Sequence, residues 1–489
     1  MSEESSAGDG AFGREESALD LDTEVRARAW RTLERSVEEH LAAARNRALG
    51  PDEAAPAEIR ERLKGYGFTA PRELGQVLDE VTTMLRDWTV HTSSPTYFGL
   101  FNPAPAFAGV IGDALAAAIN PQLAVWSHAP AAVEIEQHLL RFVGGVLGLP
   151  RDAIAGSFTS GGAEANHTAV LLALTRTFPA YPEHGVRALP GQPVLYASEE
   201  SHLAWLKIAH GCGLGRAAVR LVPVTPALTM DTAALRAAID EDRAAGRVPF
   251  LVVATAGTTG AGAVDPLPGI ADICAEQGLH LHADAAWAGA VALSPRLAPL
   301  LSGIERADSI TVDAHKWFSV PMGAGMFLCR HRAQLHETFR VDTAYMPAAT
   351  ELTEDPYTYS LQWSRRFTGL KLFLTLAVHG RDGYARQFER DVRLGRLLRR
   401  RLAEDGWQLV NDTELPVVCF RPPRNATRSS VSEIAARLTA GGRVWISTTR
   451  VLGEPVLRAC ITNHRTTPSD IDVLLHELRR ARQDPKETP

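Results

Sequence analysis

After Pro150 the chain alternates short β-rich runs with amphipathic stretches, and few architectures accept that pattern. The runs span 194–197, 219–224, 250–255, 279–283, 309–312 and 324–329, with helical stretches such as 232–245 and 267–277 between them. Parallel neighbours need a crossover of a dozen or more residues, usually a helix. The alternation therefore predicts a largely parallel sheet covered by helices.

The flanks read differently. Amphipathic patterns over 21–45 and 73–89 predict an N-terminal helical segment, and helical stretches resume at 106–119 and 131–147. Between them, SPTYFGLFNPAPAF (94–107) mixes aromatics with Pro and Gly in a way that neither a helix nor a strand explains. It reads either as a loop pinned to a core or as the lining of a pocket. Past a long helical stretch, 370–403, strand-like runs at 416–421, 444–448 and 456–461 and helical ones at 430–440 and 468–482 suggest a small α/β domain. The expected division is a disordered tail over 1–20, a helical segment over 21–105, a large domain over 106–385 and a small domain over 386–489.

Composition narrows the function classes. A net charge of -6 with both signs mixed along 489 residues leaves no basic stripe for a nucleic acid partner. The longest uncharged apolar stretch, 250–264, falls short of the ~20 residues of a membrane helix. The acidic, Gly/Ser-rich start lacks the features of a signal peptide. Cys212, Cys274, Cys329, Cys419 and Cys460 lie far apart with no C-x-x-C pair, which points to a reducing cytoplasm.

Several residues could carry chemistry. Lys316 follows a β-rich run between His315 and Trp317; a buried lysine can be held partly neutral, the form that condenses with an aldehyde. TSGGAEAN (159–166) precedes a helical run, where unpaired backbone N–H groups could take a phosphate or simply form a turn and cap. In HLHADAAWAGA (280–290), alternation puts His280, His282 and Asp284 on one strand face. That could be an H-x-H metal site completed by His315. Alternatively Asp284 alone, at a strand end, could hold a pyridine nitrogen protonated. His202 and Thr255 also follow or end β-rich runs, and each could equally be structural. Gly260 and Gly262 make a poor dinucleotide fingerprint, and no G-x-S-x-G supports a serine hydrolase.

Taken together, TSGGAEAN, SHLAWLKIA, VATAGTTGAGAVDP, HADAAWAGA, DSITVDAHKW, FRVDTAYM and LQWSRRFTGLK resemble, in order and approximate spacing, the group II PLP-dependent amino acid decarboxylases. That family includes aromatic-L-amino-acid, glutamate and diaminobutyrate decarboxylases. The resemblance runs from about Ser94 to the C-terminus. It implies a type I PLP-dependent, aspartate aminotransferase-like α/β fold with a mainly parallel seven-stranded sheet, and a homodimer with active sites at the subunit interface. It also implies that Lys316 binds pyridoxal 5′-phosphate (PLP) as a Schiff base and that Asp284 pairs with the ring nitrogen. His202 and Ala286 would cover the two ring faces, Gly161, Gly162, Ala163 and His315 would surround the phosphate, and Thr255 would lie near the cofactor. Tyr345 matches a mobile-loop tyrosine that protonates the substrate carbon, and Tyr97, Phe98, Phe101 and Trp126 match the substrate-pocket region of aromatic decarboxylases.

Two departures stand out. Asp313 and Ala314 precede His315 where many relatives have Asn and Pro, and an ionised Asp313 would repel a phosphate dianion. The phosphate loop also lacks the serine of some relatives. The expected activity is decarboxylation of an L-amino acid, aromatic in the first instance. The rivals are an aliphatic or diamino acid substrate, an amine-forming aldehyde synthase, a metal-dependent hydrolase and a non-catalytic scaffold.

Overall fold

The structure is a computed structural model that describes residues 17, 19–50, 56–341, 353–423 and 429–483. It divides into two compact units, Met1–His91 and Thr92–Pro489. The first contains helices α1 (Thr23–Ala43), α2 (Pro56–Lys64) and α3 (Leu74–Asp87), with α1 packed against α3. Glu73 caps α3 by accepting from the Gln76 N–H at 2.6 Å. None of the three helices has a fully buried residue.

The second unit holds two sheets. Its strands are β1 (Tyr97–Phe98), β2 (Ala155–Thr159), β3 (Pro193–Ser198), β4 (Val219–Val222), β5 (Val248–Thr255), β6 (His280–Asp284), β7 (Ser309–Asp313), β8 (Gly325–Cys329), β9 (Gln408–Leu409), β10 (Val417–Arg421), β11 (Trp445–Val451) and β12 (Glu454–Cys460). The large sheet has seven strands in the order β2-β8-β7-β6-β5-β3-β4. The run β4-β3-β5-β6-β7 is parallel, and β8 is antiparallel to both β7 and β2. The expected mainly parallel seven-stranded sheet is what forms. Its central strands are buried along their length, as the near-continuous apolar runs require.

Helices α4 (Phe107–Ile119), α5 (Pro130–Val146) and α6 (Gly162–Thr177) belong to this unit. The helix Gly369–Glu404 packs against α4 and α5 and turns at Gly380, whose φ of 65° is a backbone conformation that costs glycine little. The small sheet, β1-β11-β12-β10-β9, has its own core containing Leu394, Leu398, Val418, Phe420 and Leu457. Here the described chain departs from the expected division at 105. Tyr97 and Phe98 pair in parallel with Trp445 and Ile446, so this aromatic segment is an edge strand of the small sheet. Among the described residues no helix is long and apolar enough to cross a membrane.

Candidate active site

The carboxyl ends of parallel strands are where open α/β sheets gather ligands, and here they open onto a cavity of about 330 Å³. Gly161, Gly162, Ala163, His202, Thr255, Asp284, Ala286, His315 and Lys316 all line it. Register accounts for much of this convergence. Thr255, Asp284 and Asp313 end β5, β6 and β7, with Thr255 opposite Asp284 and Asp284 opposite Thr311.

Lys316 Nζ lies 3.0 Å from Asp313 Oδ2. Asp313 is buried, and its Oδ1 meets no hydrogen-bond partner among the described residues. His315 Nδ1 accepts from the Ala324 N–H at 3.1 Å, so a neutral His315 carries its hydrogen on Nε2. Burial, opposed by the neighbouring Asp313 charge, holds its pKa below the ordinary histidine value. Asp284 Oδ1 accepts from the Ala286 N–H at 3.2 Å, and Oδ2 from Asn166 Nδ2 at 2.8 Å. His202 is exposed to the cavity with Nδ1 accepting from the Ala204 N–H at 3.1 Å. Thr255 Oγ1 lies 2.8 Å from Ser201 Oγ, and its N–H donates to Asp265, whose carboxyl burial pushes up to about 6.

The loop joining β2 to α6 is shaped for an anion. The Gly162 and Ala163 amides that open α6 have no partner inside the helix, and the helix dipole favours negative charge there. A Cβ on Gly162 would lie 2.9 Å from Asp313 Oδ2 and fill the space. The cradle, the half-buried amine of Lys316 and the carboxylate of Asp284 suit a phosphorylated pyridine aldehyde.

The aromatic residues expected at the substrate separate. Phe98 is fully buried in the core of the small sheet and does not line the cavity. Tyr97 stacks on Trp445 with centroids 5.2 Å apart and donates to Asn102. Trp126 donates to Glu134 through its indole and packs with Leu123 and Phe367; neither it nor Tyr97 lines the cavity. Phe101 stands one layer back, stacked at 4.3 Å on Trp287, which does line it. Tyr345 lies outside the described residues, as does most of the acidic tail, 1–16 and 18.

Sequence reasoning passed over three residues. Asn166, in the TSGGAEAN motif, holds Asp284. Trp287, inside HADAAWAGA, walls the cavity and donates to the Gly257 carbonyl at 2.7 Å. Arg458 is buried with no ion-pair partner among the described residues. It donates to the Thr259 carbonyl at 2.5 Å and to Ser447 Oγ at 2.9 Å, and it lies 5.9 Å from the Phe101 ring. No sequence signal marked it, since two of its partners are the backbone carbonyls of Thr259 and Gly99, far away in the chain.

The model of the pyridoxal-dependent decarboxylase conserved domain matches residues 56–422. The chain belongs to the pyridoxal-dependent decarboxylase family. The decarboxylase is 30% identical over 400 residues to aromatic-L-amino-acid decarboxylase of Bacillus atrophaeus, covering 80% of this chain and 81% of that protein. It is 29% identical over 400 residues to aromatic-L-amino-acid decarboxylase of Bos taurus, covering 79% and 81%. The solved structure of mouse CSAD in apo form superposes with a TM-score of 0.88 at 28% identity, covering 95% of this decarboxylase and 100% of that chain. The protein is thus a PLP-dependent carboxy-lyase acting on an amino acid. Among the described residues no group of three or more His, Cys, Asp or Glu side chains is arranged to hold a metal ion. The His280 and His282 imidazoles are engaged in hydrogen bonds instead.

Proposed function

We propose that this decarboxylase converts an aromatic L-amino acid to its amine and carbon dioxide, working as a cytoplasmic homodimer. The observation that carries the substrate class is the Trp287–Phe101 stack, with Trp287 on the cavity wall. A flat aromatic surface suits an aromatic side chain through offset or edge contacts. The relatives named aromatic-L-amino-acid decarboxylase support the same reading.

In this reading the amine of Lys316 would hold the cofactor aldehyde, Asp284 would pair with the ring nitrogen, and His202 and Ala286 would cover the ring faces. Gly161, Gly162, Ala163 and His315 would hold the phosphate, with Thr255 alongside. PLP supplies the electron sink for the pair left when the Cα–carboxylate bond breaks. Buried Arg458, held by the Thr259 and Gly99 carbonyls and by Ser447 Oγ, backs the Phe101 ring behind the cavity wall. Tyr345 delivers the proton to Cα. The exposed apolar ridge of Phe107, Ile111, Leu115 and Ile119, spaced by four along α4, supports a second copy as partner. Free cysteines throughout the described residues support a reducing compartment.

Carbon dioxide release across a panel of amino acids tests the substrate. Aromatic substrates should exceed glutamate and diaminobutyrate in kcat/KM by at least about tenfold, with amine and no peroxide as product. A preference for an acidic or diamino acid would overturn the assignment.

A further inference from the structure

Behind Asp284 a chain of buried polar groups crosses β6 and β7. Asn166 Nδ2 is 2.8 Å from Asp284 Oδ2, and Asn166 Oδ1 is 3.1 Å from His282 Nε2. His282 Nδ1 is 2.8 Å from Ser309 Oγ, and that oxygen is 2.8 Å from His280 Nε2. His280 Nδ1 is 2.7 Å from Arg176 Nη1. Asn166, His280, His282 and Ser309 are all buried. Arg176 is partly exposed, pairs with Asp308 at 3.2 Å and lines a separate cavity together with His280, Asp308 and Arg330.

One chemical fact fixes the direction of every bond. A guanidinium has only donors, so His280 Nδ1 must accept and a neutral His280 carries its hydrogen on Nε2. That N–H donates to Ser309 Oγ, which leaves the Ser309 hydroxyl to donate to His282 Nδ1. His282 then carries its hydrogen on Nε2 and donates to Asn166 Oδ1, with Thr311 Oγ1 a further neighbour at 3.3 Å. The Asn166 amide turns its NH₂ to Asp284. Burial pushes both imidazoles down to about 3, which keeps them in the neutral form this pattern needs.

We infer that Arg176, His280, Ser309, His282 and Asn166 form a one-way hydrogen-bond relay that orients Asp284 and supports its negative charge from the opposite end of the sheet. The inference rests on the reading of Asp284 as partner of the cofactor ring nitrogen. All five are positioning residues: bonds aligned in one direction polarise one another, and the positive end of the chain meets the carboxylate. They also explain why a strand that begins with two histidines uses neither of them at the cavity.

The test uses holoenzyme reconstituted with PLP labelled with ¹⁵N in the ring, comparing wild type with Ser309→Ala, Arg176→Met and Asp284→Asn. Ser309→Ala cuts the relay at its centre by removing one oxygen, and Arg176→Met removes its origin at a partly exposed site. Each should move the ring-nitrogen chemical shift toward that of unprotonated pyridine and lower kcat about tenfold, with KM changed less than about twofold, as loss of outer partners behind a ligating group typically does. Asp284→Asn should move the shift further in the same direction. A wild-type shift and kcat in both relay variants, with a displaced shift in Asp284→Asn, would overturn the relay alone. An unchanged shift in Asp284→Asn as well would overturn the role of Asp284 on which the relay depends.

Discussion

Asp313 ends β7 with one carboxylate oxygen 3.0 Å from Lys316 Nζ and the other buried without a partner among the described residues. Its sequence position made it an odd neighbour for a phosphate. The geometry pairs it with the amine of Lys316. A carboxylate in that place opposes the cofactor by repelling its phosphate. Asp313→Asn should therefore tighten PLP binding on the order of tenfold, or about 1.4 kcal/mol, measured as the PLP dissociation constant of the apoprotein. Weaker binding would show instead that Asp313 is needed to aim Lys316. His202, Thr255, Asp284 and Lys316 stood out as candidates because each ends or follows a recognisable β-rich run. Arg458 and Asn166 did not, because their value comes from partners distant in sequence: Gly99 and Thr259 for the first, Asp284 for the second.

Among the elements, β6 shows how far pattern reading reaches. Alternation put His280, His282 and Asp284 on one face, but it could not tell a ligand set from a hydrogen-bond chain, because that depends on Ser309 of the adjacent strand. β2 escaped notice because AGSFT is poor in β-branched residues, and only pairing with β8 makes it a strand. β1 is two residues long and exists by virtue of β11, and that pairing is what carries Phe98 into the core of the small sheet. The two imidazoles of β6 have a measurable signature. Their folded pKa values, depressed by burial to about 3, lie below the ordinary histidine value near 6.5. They therefore contribute stability that is present above about pH 6.5 and lost as pH falls toward 3. Asp391, raised by burial to about 7, works in the opposite direction, but it is common to wild type and any β6 variant. Between pH 6.5 and 4 the stability of wild type should fall more steeply than that of His280→Gln, by up to about 1.4 kcal/mol per pH unit. Denaturant midpoints across that range measure it, and parallel curves would mean that His280 protonates in the native protein.

At the scale of the whole molecule, the large sheet builds the cavity floor, while the segment around β1 and the small sheet deliver Phe101 and Arg458 behind its wall. The side of α4 turned away from the helix Gly369–Glu404 carries the apolar ridge. Its inner side is pressed so close that a Cβ on Gly112 would lie 2.8 Å from Lys371 Cα. If the ridge seats a second copy, Leu115→Asp should convert a dimer to a monomer by light scattering and reduce decarboxylation by an order of magnitude or more. A monomeric wild type with full activity would contradict that assembly. The proposed chemistry turns on one covalent attachment. Borohydride reduction of the holoenzyme, followed by peptide mapping, should place the phosphopyridoxyl group on Lys316 alone and none on Lys64, Lys207, Lys371 or Lys486. Modification of any other lysine in place of Lys316, or of none, would contradict it.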